Sequence, residues 1–335
     1  MIAIQDIRRS RNEIVVLGNH EPLVQSILDF DYLSGKPDGS VVGIVTGRRG
    51  FAKYFFGRRE ILIPTLVSLH GNTGILKHGN TNIWFLNLLS GRRVLSSTKE
   101  LLESRISPLE SNLVGGAIFG ENVPELHALG IIYTLRNRNT GKLEYQAASP
   151  LIVGPASVGL LVPGHLKLGP IGGITPDQIT EGEITTAGHV AVMSASGGMT
   201  NELINIAISA GHHLSFALSF GGDRFPILSP REAFLLAESD PDTTAVLYYG
   251  ELGGEDEYEL VKLKEEGKFT KKVVAHVAGT VADLFPESPQ FGHAKAKADK
   301  ARVTARAKRD ALASAGFSVS HSFAEFITLV QGLTC

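Results

Sequence analysis

Three short stretches of the chain carry residue types that could do chemistry together. The first is "QFGHA", in which His293 follows a loop rich in turn-forming residues. Neutral imidazole is a competent nucleophile toward phosphorus near its own pKa. The small Gly292 and Ala294 leave the ring of His293 open to close approach. A histidine that is simply packed or solvated is the alternative interpretation.

The second stretch is "YYGELGGEDEY", where Glu251 comes just past an apolar run that predicts a buried strand. A carboxylate at such a position can orient an imidazole through a hydrogen bond. The alternative is that Glu251 only joins the acidic residues 255–257 at the start of a helix.

The third stretch is "VMSASGGMTNE", which predicts a strand ending at Met193 and a helix beginning near Met199. Glycines at a helix start let backbone N–H groups converge on an anion, and the helix dipole adds partial positive charge. Ser196, Gly197 and Gly198 are therefore predicted to hold a phosphate or carboxylate group. A tight turn without a ligand remains the alternative.

A local cationic cluster follows the first strong strand, in "VTGRRGFAKYFFGRRE" (residues 45–60). Its arginines and lysine alternate with aromatic residues, a mixture that suits a ligand with phosphates and a flat base. The stretch is not a G-x-G-x-x-G fingerprint, which disfavours a nicotinamide dehydrogenase. A solvated basic face is the alternative.

Composition narrows the functional classes. The 335 residues are 43% hydrophobic and 20% charged with a net charge of −2, so no global field favours nucleic acid or an anionic membrane. The single cysteine, Cys335, excludes disulfides within the chain and cysteine-rich zinc sites. We expect no secretory signal and no bilayer-spanning segment, and therefore a cytoplasmic protein.

Two sets of short β-branched runs that end in glycine are predicted to form the strands that position these stretches. The first set lies at 40–47, 82–91, 115–120 and 149–154, and the second at 189–198, 214–222, 244–254 and 271–280. Such runs at βαβ spacing predict two doubly wound α/β domains with parallel sheets, divided near residue 153. We expect an irregular crossing over 153–178. A long helix is predicted from about residue 294 to Gly316, followed by a short strand and a terminal helix. Ligands of such sheets bind at the carboxyl ends of the strands, where the three stretches above lie.

Several motifs in the same order resemble one family: "GPASVG", "SGGMTNE", "GGDRFP", "GELGGEDEY" and "QFGHA". The chain is similar over residues 28–327 to the CoA-binding, phosphohistidine-carrying subunits of nucleoside diphosphate-forming acyl-CoA synthetases, such as the succinyl-CoA synthetase α subunit. "SGGMTNE" and "GGDRFP" favour the citrate branch, with ATP-citrate lyase and the small subunit of citryl-CoA synthetase. The resemblance implies a Rossmann-like CoA-binding domain over 1–152 and a flavodoxin-like ligase domain over 153–335.

The resemblance also implies roles for individual residues. His293 would be phosphorylated, with Glu251 holding its imidazole and Glu121 nearby. The turn Ser196–Gly198 would receive the phosphoryl group and the citrate carboxylates. The residues implied for the CoA site are Thr46, Gly47, Lys53, Ser90, Arg92 and Phe119.

The implied reaction converts citrate, ATP and CoA to citryl-CoA, ADP and phosphate. ATP and Mg²⁺ would come from a large ATP-grasp partner subunit, and this chain itself would hold no metal. Because no citryl-CoA lyase-like module follows before Cys335, we expect a synthetase rather than a complete lyase. The alternatives are a succinyl-CoA synthetase α subunit, another short-chain acyl-CoA synthetase, or a non-catalytic CoA-binding regulatory subunit.

Two positions depart from the family pattern. Ala195 stands where the family commonly has arginine, and Lys295 stands where it commonly has glycine. One interpretation is that Lys295 supplies the positive charge that Ala195 lacks.

Overall fold

The computed structural model describes residues 1–68, 81–103, 113–137, 149–290, 292–293, 295–298 and 300–334. Within these residues the chain forms two seven-stranded sheets covered by helices. Parallel pairs dominate both sheets, which confirms the predicted α/β class. Among the described residues, no helix has both the length and the apolar composition needed to cross a bilayer.

The first sheet has the strand order β3-β4-β2-β1-β5-β6-β7. Its strands are β1 (Arg11–Leu17), β2 (Val41–Val45), β3 (Gly50–Phe56), β4 (Arg59–Leu66), β5 (Thr81–Asn87), β6 (Leu113–Ile118) and β7 (Leu151–Val153). The helices around it are α1 (Ile4–Arg9), α2 (Glu21–Leu33), α3 (Gly91–Glu103) and α4 (Glu125–Asn137).

Two elements of the first sheet were not predicted from the sequence. The central strand β1 is a short apolar run that pairs in parallel with both β2 and β5. The cationic cluster forms the antiparallel hairpin β3–β4 at the edge of the sheet. Buried Tyr54 and Phe56 alternate there with exposed Phe51 and Phe55, as expected for a strand with one face in water.

The second sheet has the order β14-β13-β12-β10-β11-β8-β9. Its strands are β8 (Leu160–Val162), β9 (Leu166–Leu168), β10 (Ala187–Ser194), β11 (Leu214–Ser219), β12 (Ala245–Glu251), β13 (Lys272–Ala278) and β14 (Ser318–Ser320). Its helices are α5 (Pro176–Glu181), α6 (Gly197–Ser209), α7 (Pro230–Ser239), α8 (Asp256–Glu265), α9 (Ala305–Ser314) and α10 (Phe323–Gln331).

Two expectations for this half were wrong. The stretch 153–178 is not an irregular crossing throughout, because β8 and β9 form a hairpin whose first strand pairs antiparallel with β11. The long helix begins only at Ala305, where the Thr304 hydroxyl accepts a hydrogen bond from the Ala307 amide. Residues 295–298 instead pack as a loop against the turn at Gly253, so a tertiary contact overrides their helical composition. The predicted end is correct, since Gly316 follows this helix with a φ of 87°.

The segment 154–159 connects the two sheets at the edge where ligands bind. Its Ala156 amide donates to the Gly120 carbonyl at 3.0 Å, just past β6, and its Gly154 amide donates to the Phe220 carbonyl at 3.1 Å, just past β11. A continuous apolar core contains residues of both sheets. These contacts place the carboxyl ends of the two sheets side by side. The predicted domain boundary between residues 152 and 153 falls within β7, and it remains a prediction.

Candidate active site

His293 and Glu251 form a direct pair. The Nδ1 atom of His293 lies 2.9 Å from each carboxylate oxygen of Glu251, which is the last residue of β12. The hydrogen bond to Glu251 raises the pKa of His293, and burial opposes this shift. Because Nδ1 donates its proton to the carboxylate, the neutral ring keeps its lone pair on Nε2.

Gly222 leaves room for the opposite edge of the imidazole. A Cβ atom placed on Gly222 would lie 2.7 Å from Nε2 and 2.4 Å from Cδ2 of His293. Any side chain here would displace the ring. The glycine after β11 therefore fixes how closely the histidine approaches the end of the sheet.

The helix start at Ser196–Gly198 lies on the same cavity. Ser196 is the N-cap of α6, and its hydroxyl accepts from the Met199 amide at 3.4 Å. Gly197 has no space for a side chain, because a Cβ would lie 2.4 Å from Val158. A Cβ on Gly198 would meet nothing within 4 Å, so the space above the first turn is open. Amides of a first helical turn have no intrahelical partners and are suited to an anion.

A cavity of about 530 Å³ joins these groups. We call it the His293 cavity, and its lining includes Phe119, Glu121, Ser157, Ser196, Gly197, Gly198, Gly222, Asp223, Gln290 and His293. Glu251 does not line the cavity and contacts the Nδ1 side of the His293 ring. The structure thus brings together the predicted histidine, the predicted helix start and Glu121, together with Phe119, which was predicted for the CoA site.

Asp223 is a cavity residue to which the sequence reasoning assigned no role. One of its carboxylate oxygens is buried and accepts no hydrogen bond from the described residues. Burial raises the pKa of Asp223, while a hydrogen bond from the Val123 backbone opposes the shift. Its place in "GGDRFP", directly after Gly222 and the end of β11, was the available signal.

The buried Lys308–Glu257 ion pair holds the turn at Glu251 in place. The Lys308 ammonium donates to the Glu251 carbonyl at 2.7 Å and lies 2.6 Å from the Glu257 carboxylate, with both side chains 1% exposed. The Tyr248 hydroxyl also donates to Glu257, at 3.1 Å. Glu251 is the last residue of β12 and the following helix begins only at Asp256, so Glu251 does not join the acidic start of that helix.

The predicted CoA residues are divided among four places. Thr46, Gly47 and Ser90 line a second cavity of about 560 Å³ at the carboxyl ends of β1, β2, β4 and β5. Arg93 lines this second cavity and Arg92 does not. Lys53 lies on β3, where its ammonium is 2.6 Å from the Glu60 carboxylate, and Phe119 lines the His293 cavity.

Lys295 does not replace the missing family arginine beside the helix start. Its side chain is 7% exposed, and its ammonium forms an ion pair with Asp256 rather than lining the His293 cavity. Ala195 is buried, with 4% exposure. Within the described ranges, no group of three or more acidic, histidine or cysteine side chains is arranged to hold a metal ion.

The CoA-ligase family model matches residues 193–317 of the chain. This range contains the helix start, Gly222, Glu251 and His293. The ATP-citrate synthase beta chain protein 1 of Arabidopsis thaliana is 36% identical over 316 residues, which cover 94% of this chain and 49% of the plant protein. Human ATP-citrate synthase is 33% identical, over 95% of this chain and 27% of its own length.

The structure of ATP citrate lyase from Methanothrix soehngenii in complex with citrate and coenzyme A superposes with a TM-score of 0.86 at 32% identity. The match covers 96% of this chain and 49% of that one, so the chain spans about half the length of this relative. Residues 193–317 therefore form a CoA-ligase domain, and over most of its length the chain is similar to about half of an ATP-citrate synthase beta chain and of an ATP citrate lyase.

Proposed function

We propose that this chain is the CoA-binding, phosphohistidine-carrying subunit of an ATP-dependent citryl-CoA synthetase. The reaction would convert citrate, ATP and CoA to citryl-CoA, ADP and phosphate. The observation that carries the proposal is the His293–Glu251 pair, which leaves Nε2 as the nucleophilic nitrogen beside a cavity that ends at a helix N-terminus.

In the first step Nε2 of His293 attacks the γ-phosphorus of ATP, and ADP leaves. A partner subunit with an ATP-grasp fold would supply the nucleotide and Mg²⁺, which makes the complete enzyme a hetero-oligomer, and we expect it in the cytoplasm. The ring gains positive charge as the P–N bond forms, and the Glu251 carboxylate stabilises that charge through Nδ1–H. Positioning and charge stabilisation supply most of the catalysis in phosphoryl transfer.

In the second step a citrate carboxylate takes the phosphoryl group from Nε2 and forms citryl phosphate. The first turn of α6, at Ser196–Gly198, would hold the phosphoryl oxygens, since its amides and its dipole favour negative charge. The CoA thiol then attacks the acyl carbon, the C–O bond to phosphate breaks, and the thiol proton leaves with the phosphate. Glu121 lies on the same cavity, within reach of these groups.

CoA is proposed to enter by way of the second cavity. Ser90 lines that cavity, and the next residue, Gly91, packs against the turn that carries Glu121, because a Cβ on Gly91 would lie 2.7 Å from the Glu121 carbonyl oxygen. The two cavities are therefore neighbours across the start of α3. A long ligand could bind with its nucleotide end in one cavity and its thiol in the other.

The test is phosphorylation of the assembled enzyme with γ-³²P-ATP, followed by intact-mass measurement of this chain. Wild-type protein should gain one acid-labile phosphate that citrate and CoA discharge, and His293→Asn should gain none. His321→Asn, at an exposed histidine outside both cavities, is the matched control and should label like wild type. Full labelling of His293→Asn would overturn the proposal, and a faster reaction with succinate than with citrate would overturn the substrate assignment.

A further inference from the structure

The His293 loop and the Glu251 turn are joined by two side-chain contacts that run in parallel. The first is the His293–Glu251 hydrogen bond. The second is the ion pair between Lys295, two residues after the histidine, and Asp256, five residues after the glutamate. The second contact therefore connects the same two segments as the first, and neither of its residues lines the His293 cavity.

The Lys295–Asp256 pair is mostly buried, at the wall of a cavity of about 450 Å³ that both residues line. The side chain of Lys295 is 7% exposed and that of Asp256 is 20% exposed. The Lys295 ammonium also lies 5.8 Å from the centre of the Phe220 ring. Burial by itself lowers the pKa of Lys295, but the nearby acidic groups, Asp256 before Glu251 and Glu257, together raise it, so the ammonium stays charged at neutral pH. Removing one partner of such a mostly buried pair is costly, because it leaves the other charge without compensation.

The described residues around His293, at 285–290, 292–293 and 295–298, form neither helix nor strand. After His293, the Ala296 amide donates to the His293 carbonyl at 3.0 Å, and the Ala298 amide donates to the Ser288 hydroxyl at 3.1 Å. The Gln290 side-chain amide donates to the same His293 carbonyl, and the Lys297 amide donates to the Lys295 carbonyl at 2.9 Å. The loop also packs closely on Gly253, where a Cβ would lie 2.0 Å from the Lys295 carbonyl oxygen. The hydrogen bond to Glu251 alone would leave the orientation of the His293 ring loosely determined.

We propose that Lys295 is a positioning residue for His293, and that its ion pair with Asp256 holds the imidazole against Glu251. The assignment rests on the contacts in this chain. Only its consequence for phosphorylation rests on the proposed function.

Titration of the His293 ring by NMR separates positioning from a simple charge effect. Glu251, Asp223 and Lys295 are the charged groups that act on the pKa of this imidazole. Lys295 lowers the pKa through its charge, so a variant that lost only that charge would titrate at higher pH. If Lys295 also holds the ring on Glu251, Lys295→Met weakens the hydrogen bond that raises the pKa, and we expect titration at lower pH than in wild type.

Three further variants complete the design. Lys295→Arg keeps a cation that can pair with Asp256 and should restore the wild-type titration. Lys297→Met removes the same charge from an exposed position on the same loop and should leave the titration unchanged. Lys295→Gly removes the side chain without adding bulk, and it replaces the methionine variant if that variant does not fold. A rise in the His293 pKa, or no change, in Lys295→Met and Lys295→Gly would refute the positioning role.

The second measurement uses the assembled enzyme. We expect Lys295→Met to slow phosphorylation of His293 by about tenfold to 100-fold, because a small misplacement of a reacting group costs up to about 100-fold, with Lys295→Arg close to wild type. If wild-type enzyme takes up no phosphate, the proposed function fails while the NMR titration still decides the role of Lys295. Wild-type phosphorylation rates in Lys295→Met and Lys295→Gly would also refute the proposal.

Discussion

The residues of the two cavities were predicted from the sequence with different success. In the His293 cavity, residues from separate turns of the chain meet as expected: Glu121 after β6, Ser196–Gly198 after β10, and His293 with Glu251 behind it. In the second cavity only Thr46, Gly47 and Ser90 of the predicted CoA residues meet. The difference lies in where each residue stands relative to a strand.

Residues that directly follow a parallel strand are carried to one edge of the sheet by the topology itself. Thr46 comes directly after β2, and Ser196 and Ser90 lie in the short turns that follow β10 and β5. Lys53 does not follow a parallel strand, because it lies in the middle of an antiparallel edge strand. Arg92 and Arg93 both lie on α3, where the helical rotation decides which side chain faces the cavity.

The largest effect is expected from Gly222→Ala. The added methyl group would lie within 2.7 Å of the His293 ring and push it from the cavity edge. We expect a loss of more than about 100-fold in phosphorylation rate, since a displacement of about 1 Å costs that much in an active site. Gly332→Ala, whose methyl group would meet only ordinary contacts of 3.6 and 3.8 Å, is the control. An active Gly222→Ala enzyme would mean that the ring works in another position.

Glu251→Gln should reduce the rate by about 100-fold, the scale of a positioned acid–base group, and should change its pH dependence. The carboxylate raises the pKa of His293, so in wild type the neutral nucleophile is lost as pH falls through that raised value. With glutamine, the acidic limb of the pH–rate profile should move to lower pH. Stopped-flow measurement of the phosphorylation rate across pH would show this shift. An acidic limb at the wild-type pH would mean that Glu251 does not set the pKa of His293.

Arg93→Ala and Arg92→Ala form a matched pair for the second cavity. Arg93 lines the cavity and Arg92 is exposed outside it. A charge-assisted contact contributes about 1.5 kcal/mol or more, so loss of Arg93 should weaken CoA binding about tenfold or more, with Arg92→Ala near wild type. Calorimetric titration with CoA checks this. The reverse order would restore the sequence-based assignment of Arg92.

The smallest effect is expected for Lys53→Ala. Both partners of the Lys53–Glu60 pair are exposed, at 59% and 50%, so the pair should contribute less than about 1 kcal/mol to the free energy of unfolding. CoA affinity should stay within about twofold of wild type, a difference of under ~0.5 kcal/mol. Thermal unfolding and calorimetry measure the two quantities. A clear loss of CoA affinity would place the hairpin in the binding site.

The strands that begin and end each βαβ unit were predictable because their apolar runs end in glycine. All eight predicted runs became strands, namely β2, β5, β6, β7, β10, β11, β12 and β13. The hairpin β8–β9 was missed because its strands are three residues long and lie among prolines and glycines. The stretch after His293 was mistaken for helix because alanine and lysine favour helix locally, whereas its packing on Gly253 is a contact between distant parts of the chain.

By itself, the sequence determined the α/β class, and it predicted the turns that meet at the His293 cavity and the pairing of His293 with Glu251. These follow from local patterns, since periodicity, glycine placement and motif order are all read along the chain. Only the tertiary structure decided that Gly222 lies against the imidazole, that Lys308 supports the Glu251 turn and that Lys295 pairs with Asp256. Each of those contacts joins residues far apart in sequence, and no local pattern specifies which distant side chain will meet which.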